Sequence, residues 1–263
     1  MKVFSVIIAA ACLGLSACAQ SQTIESGPFH WDEFGADLES PGETSKLFEG
    51  SSDAFEYLYI AVTNVGAGES FTLPHDNEDL EALLIMKSGT LDQKIKNDQK
   101  QMGRGSVSLL MPGENIGVKN NSPDLATLYV IMWRAKRTDD GISAVSTDNA
   151  NSLLVDWNDT VAVKIEKGER RYLIQQRTAM MDEFRMHVTT LNEGMTSHLP
   201  HTHIDEEILL IRNGEVEEHI DGELHEVEAG SLIFLRSMVP HGIRNIGQGQ
   251  SDYYAFRWVP KTD

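Results

Sequence analysis

Cysteine is nearly absent. The chain of 263 residues has two, Cys12 and Cys18, both close to its start. Everything after them lacks a thiol for a disulfide, a zinc knuckle or a nucleophile, so stability rests on packing and chemistry on other groups. Positive charge is scarce as well: 22 Lys and Arg stand against 40 Asp and Glu, a formal net charge of −18. Such a chain repels phosphate backbones and offers no basic face to a membrane, which argues against a nucleic-acid partner. Long apolar runs are missing too. The apolar stretch near the start falls short of the roughly 20 residues a spanning helix needs. Helical periodicity is equally rare. From about Phe55 onward, short runs rich in Val, Ile, Leu and Tyr alternate with Gly, Asn, Asp and Pro, the pattern of an all-β sandwich or barrel.

The first residues, MKVFSVIIAAACLGLSAC, combine one lysine, a short apolar run and small residues, the build of a secretory signal. Leu15-Ser16-Ala17-Cys18 resembles the lipobox of bacterial lipoproteins. That resemblance implies cleavage before Cys18 and lipidation of its thiol and new amino group. With Ala19 next, it further implies a membrane anchor at the periplasmic face of the outer membrane in a Gram-negative host. The alternative is an ordinary signal in which Cys18 is incidental. On this reading residues 1–17 are the signal and 18–28 a polar tether.

Asp221-Gly222 between EVEEHI and ELHEVE reads as a two-residue hairpin turn. An internal repeat stands out more strongly. TLPHDNEDLEALLIMKSG (72–89) matches HLPHTHIDEEILLIRNG (198–214), RGSVSLLMPGENIGVKNNS (104–122) matches AGSLIFLRSMVPHGIRNIG (229–247), and each copy closes on an aromatic run, LYVIMWRAK and YYAFRWVPK. One β unit therefore occurs twice, at 29–135 and 169–263, with a polar linker over 136–168.

The second copy resembles a cupin. The residues that carry the likeness are Gly194, His201, His203, Glu207 and Gly214, then Gly230, His241 and Asn245. Two departures are an additional residue before His201 and Arg236-Ser237-Met238 in place of the family's Pro-x-Gly turn. The resemblance implies two tandem double-stranded β-helix, or jelly-roll, barrels in one chain. Alternation on a strand agrees with it, because residues two and four apart look the same way. His201, His203 and Glu207 thus point together, with His241 supplied from another strand. Three imidazoles and a carboxylate suit one divalent transition metal, Fe, Mn, Ni or Zn. The other reading is a set of polar residues on a solvent-facing edge, but the apolar Leu-Leu-Ile after Glu207 argues against it.

The remaining histidines carry weaker expectations. His198 could line the mouth of a pocket and His187 could face either way, while His219 and His225 flank the hairpin and read as surface residues. In the first copy His75 aligns with His201 and Glu81 with Glu207, but Asn77 stands for His203 and Ile116 for His241. The first barrel is therefore expected to be structural, packing on the second or mediating a homodimer.

The ligand set and the resemblance together suggest a metal-dependent enzyme of the envelope acting on a small organic or sugar-derived molecule, by dioxygenase-like or by isomerase- or lyase-like chemistry. Glu207 would serve first as a ligand and then, on swinging free, as a base. Arg236, Arg244, Tyr254 and Arg257 are candidates to hold a carboxylate. The competing reading is a non-catalytic module that captures or senses a small molecule or a metal.

Overall fold

The computed structural model describes residues 22–73, 80–136 and 150–260. Cys18, His75 and Asn77 lie outside them. Among the described residues no helix is long and apolar enough to cross a membrane.

Among the described residues the regular structure is almost entirely strand. A short arm, β1 (Gly27–Phe29), precedes the one-turn helix α1 (Trp31–Phe34). The first copy then supplies β2 (Thr44–Gly50), β3 (Phe55–Val65), β4 (Ser70–Leu73), β5 (Glu81–Ser88), β6 (Thr90–Ile95), β7 (Asp98–Gly103), β8 (Val107–Leu110), β9 (Ile116–Lys119) and β10 (Ala126–Ala135). A second arm, β11 (Leu153–Val155), and β12 (Ala162–Ile165) lead into the second copy. That copy comprises β13 (Gly168–Gln176), β14 (Met181–Leu191), β15 (Glu206–Asn213), β16 (Glu215–Ile220), β17 (Glu223–Glu228), β18 (Leu232–Leu235), β19 (His241–Asn245) and β20 (Ser251–Pro260).

Each copy closes as a large sheet over a small one. In the first, β11-β8-β5-β10-β3-β2 faces β4-β9-β6-β7; in the second, β1-β18-β15-β20-β14-β13-β12 faces β17-β16-β19. The expected pair of jelly-roll barrels is present. The Asp-Gly hairpin forms between β16 and β17, with φ of 47° at Asp221 and 94° at Gly222, the left-handed values such a two-residue turn demands.

Two segments behave differently from expectation. The supposed tether contributes β1, which pairs with β18 of the second barrel. The supposed linker contributes β11, which pairs with β8 of the first. The arms are exchanged, and each is pinned by a tryptophan. Trp31 covers Gly230 and Trp157 covers Gly105, so closely that a Cβ at either glycine would lie 2.8 or 2.6 Å from the indole.

The large sheets meet face to face in one shared core. Trp133 stacks on Phe184 at 5.7 Å, and Trp258 packs edge-on against Trp133 at 5.4 Å and Phe55 at 5.0 Å. This core fuses the barrels into one body, since burial of such rings removes a large apolar area from water. Two buried carboxylates reach across it. Glu81 accepts from the Met180 amide at 3.0 Å and from the Trp133 indole at 2.8 Å. Glu206 accepts from the Ser52 hydroxyl at 2.6 Å and from the Asp53 amide at 2.9 Å.

That symmetry corrects the alignment of the copies. Glu81 lies opposite Trp133 on β10, as Glu206 lies opposite Trp258 on β20. Glu81 is thus the counterpart of Glu206, and Ala82 stands where Glu207 is. A slip of one residue on a strand exchanges the two faces, so Glu81 points to the interface and away from the barrel interior. Ile116 does occupy the place of His241, since it pairs with Ile95 as His241 pairs with Ile220. It is fully buried among Phe71, Leu91 and Met102.

Candidate metal centre

Only Glu207 of the first histidine-rich motif sits inside a regular strand. His201 lies in an isolated bridge to His241, at the start of β19, and His203 in the turn before β15. The expectation of one strand carrying all three is therefore corrected, but the side chains still converge. The nitrogens of His201, His203 and His241 that face one another lie within 4.8 Å. Glu207 Oε2 is 3.1 Å from His203 Nε2 and 3.3 Å from His241 Nε2. His241 is buried, His203 is half-buried and His201 is exposed, so the cluster opens to solvent on the His201 side.

The far side of each ring explains this arrangement. His203 Nδ1 donates to the Asp205 carbonyl at 2.8 Å, His241 Nδ1 to the Val239 carbonyl at 2.8 Å and His201 Nδ1 to the His241 carbonyl at 3.3 Å. A backbone acceptor on Nδ1 sets the tautomer that leaves Nε2 as a lone-pair donor. Met238, with φ of 63°, takes the left-handed conformation that glycine supplies in a Pro-x-Gly turn, and its amide donates to the His203 carbonyl at 2.8 Å. The altered turn thus keeps its geometry and braces the ligand loop.

The electrostatics are those of a site that concentrates negative charge on one carboxylate. Burial works to raise the Glu207 carboxyl, but the facing rings of His203 and His241 outweigh it and hold it below the usual range. The Glu207 hydrogen bond raises His203. Burial lowers His201, with the neighbouring His241 acting in the same sense.

Above the cluster lies a cavity of about 170 Å³, lined among others by His187, Arg170, Glu218, Tyr253 and Arg257. At about 30 Å³ per liquid water, it suits a ligand of a few heavy atoms.

Residues 187–256 match the family described as Cupin domain. Over these residues the second barrel is similar to a cupin domain. No curated protein matches the chain. Among solved structures, a protein described as glyoxylate-induced from Pseudomonas aeruginosa is similar over 100% of this chain and 98% of its own, at 15% identity and TM-score 0.70. An oxalate decarboxylase from Lactobacillus farciminis, in complex with formate, is similar over 92% and 88%, at 11% identity and TM-score 0.64. A salicylate 1,2-dioxygenase variant from Pseudoaminobacter salicylatoxidans is similar over 76% and 70%, at 12% identity and TM-score 0.54. At these identities the likeness concerns the fold, which both barrels of the chain share.

Of the substrate candidates read from the sequence, the cavity above the histidines takes in one. Arg257 lines it, with Nη1 3.6 Å from Asp205. Arg236 is instead bound at the surface by Asp53 and Glu25, each at 2.7 Å. Arg244 pairs with Glu217 at 2.9 Å on the outer face. Tyr254 is buried in the shared core between the barrels, because strand alternation turns Tyr253 inward and Tyr254 the other way. His187 and His198 both line the cavity, and the ring of His198 packs 4.1 Å from that of His201. His187 is pushed down to about 4, by burial first and then by Arg170.

Arg170, Glu218 and Tyr253 are among the lining residues that went unassigned in the sequence. A signal existed for Glu218. In EVEEHI it falls between Val216 and Ile220 on the inward parity, where an apolar residue belongs.

Proposed function

We propose that the second barrel holds one divalent transition metal on His201, His203, His241 and Glu207, and that the protein is a metal-dependent enzyme acting on a small organic molecule. The observation that carries this reading is the orphaned donor at His241. Its Nε2 is buried and has no hydrogen-bond partner among the described residues, while its Nδ1 is already committed to Val239. A buried lone pair left unpaired is costly; a cation removes the cost, and three imidazoles with one carboxylate match the preferences of first-row divalent ions. When bound, the ion would supply Lewis acidity and open positions for a ligand oxygen or dioxygen.

The chain's own residues do the rest. Glu207 offsets part of the ion's charge. The backbone carbonyls of Asp205, Val239 and His241 keep the rings aimed. The cavity above the exposed edge of His201 gives a ligand access to the cluster, which favours catalysis over a sealed structural ion. Metal analysis tests the reading. Wild-type protein loaded with cobalt and desalted should retain about one ion per chain, and His203→Ala far less. Equal metal in both would dispose of the assignment.

We further propose that the mature chain is anchored to the envelope through a lipid on Cys18, on the strength of Leu-Ser-Ala-Cys after an apolar run. Expressed with its leader, the wild type should take up labelled palmitate and sediment with membranes, and Cys18→Ser should not. Undiminished labelling of the variant would refute the anchor.

A further inference from the structure

The cavity contains a carboxyl that the metal reading does not use. Glu218 is fully buried, and neither of its oxygens has a hydrogen-bond partner among the described residues. The Gly242 amide lies close by but outside bonding geometry. Glu218 sits on β16, opposite Ile243, and faces the same cavity as His201, His203 and His241.

The sister barrel shows what this position looks like when it serves packing alone. Gln93 pairs with Val118 as Glu218 pairs with Ile243, and is its counterpart. It is equally buried, but its amide oxygen accepts from the Ser108 hydroxyl at 2.5 Å and its nitrogen contacts Met86 Sδ at 3.5 Å. In the second barrel Ile233 stands at the place of Ser108, and Ile211 at the place of Met86. Glu218 is thus charged in type and stripped of the neighbours that satisfy its counterpart. Burial foremost, and then the charge of Glu207, push its carboxyl well above the ordinary range. A second group shares this character, for Arg170 also lines the cavity, and its Nε is buried without a hydrogen-bond partner among the described residues. A fold gains nothing from two unsatisfied polar groups in one cavity; a ligand that carries their complements does.

We propose that Glu218 and Arg170 are ligand contacts of the second-barrel site and that the ligand is a small carboxylic acid bearing an O–H or N–H donor, its carboxylate on Arg170 and its donor on Glu218. This deepens the metal-enzyme reading and rests on it. A plain apolar acid would leave Glu218 unanswered, and a neutral sugar would leave Arg170 without a carboxylate.

Glycolate and acetate differ by one hydroxyl and serve as probes of cobalt-loaded protein. Chelation of the metal favours glycolate in every variant, so the deciding quantity is the ratio of the two dissociation constants relative to wild type, measured by calorimetry. A methionine removes the acceptor at this position, whereas a glutamine keeps a carbonyl oxygen. The preference for glycolate should therefore fall about tenfold in Glu218→Met and about threefold in Glu218→Gln, with cobalt content unchanged. Gln93 shows that an amide is accommodated at this barrel position, so the glutamine variant decides the question if the methionine variant fails to fold. Arg170→Met should weaken both acids alike and leave the ratio as it was. The metal-free Glu218→Met protein should melt above wild type, since an unsatisfied buried group is gone.

A ratio unchanged in the glutamine and methionine variants overturns the proposal, as does absence of binding of either acid to the wild type. Loss of cobalt from Glu218→Met would make Glu218 a metal ligand and overturn its role as a ligand contact. These outcomes differ from failure of the metal reading, which is wild-type protein that retains no cobalt, and in that event this proposal falls with it.

Discussion

Adding cobalt or zinc to metal-free protein is expected to raise the melting temperature of the wild type by several degrees, to raise that of His75→Ala equally, and to leave that of His241→Ala unmoved. A ligand that binds only the folded state stabilises it by mass action, by about 4 kcal/mol at a free concentration a thousand times the dissociation constant. His241 is central to that binding. Its Nε2 is a buried lone pair without a hydrogen-bond partner among the described residues, and its main-chain carbonyl holds the ring of His201 through Nδ1 at 3.3 Å. Removing the imidazole costs one ligand outright and leaves Glu207, now short of one of its two neighbours, exposed to the full penalty of a buried charge. His75 belongs to the first copy, where Ile116 and Ala82 fill the positions of His241 and Glu207. Thermal melts of the three proteins with a chelator and with added metal provide the check. A shift lost in His75→Ala and kept in His241→Ala would invert the assignment of the two barrels.

The second large effect is on pH dependence, and it originates away from the metal. Glu81 is buried in the contact between the barrels, and burial pushes its carboxyl up to about 7 from the ordinary 4.5, against the hydrogen bonds of Thr178, Met180 and Trp133. Its proton is therefore held more tightly in the folded chain than in the unfolded one. The stability this contributes is complete below pH 4.5 and is lost as pH rises through 7, on the order of 3 kcal/mol at about 1.4 kcal/mol per unit. Burial raises Glu206 as well, which acts in the same sense. His187 acts oppositely at the acid end: held at about 4, it must stay neutral in the fold, so stability falls as pH drops from 6.5 through 4. With chelator present, melting temperature should peak near pH 6, fall as pH rises through 7 and level off above about pH 8. Glu81→Gln carries no charge at any pH, so it should flatten the alkaline limb and overtake the wild type there. A wild-type profile level from pH 6 to 8.5, or a variant that declines in parallel with it, would remove Glu81 as the cause.

Much of this molecule was legible in its residues, for identifiable reasons. Strand periodicity, turn chemistry and the repeated Leu-Pro-His and aromatic runs each record a local rule, and together they indicate two β barrels. His201, His203 and His241 stood out because imidazoles amid apolar strands demand an explanation. What stayed hidden depends on register and on contacts distant in sequence. Glu81 and Glu207 look equivalent because both precede an apolar run, yet one residue of slip sends them to opposite faces, which only the pairing with Trp133 and Arg257 reveals. Arg236 and Arg244 were candidates by residue type, but their acidic partners Asp53 and Glu217 decide their location. The arms were part of the repeat all along: Phe29-His30-Trp31 and Val155-Asp156-Trp157 are parallel segments. Strands of three residues are too short to show a period.

The exchanged arms also govern how the chain can reach this state. β1 emerges first from the ribosome but finds its place only beside β18, and His30 and Glu228, in contact at 3.1 Å, are 198 residues apart. Closing a loop of that length carries an entropic cost that must be met before the contact returns anything, and pairings so distant form late. Nor can the first barrel finish alone, because its large sheet awaits β11 from beyond its own last strand. The two barrels are therefore topological hostages of each other during synthesis. A nascent chain stopped after β10 would present the bare edge of β8 to any neighbour able to add a strand.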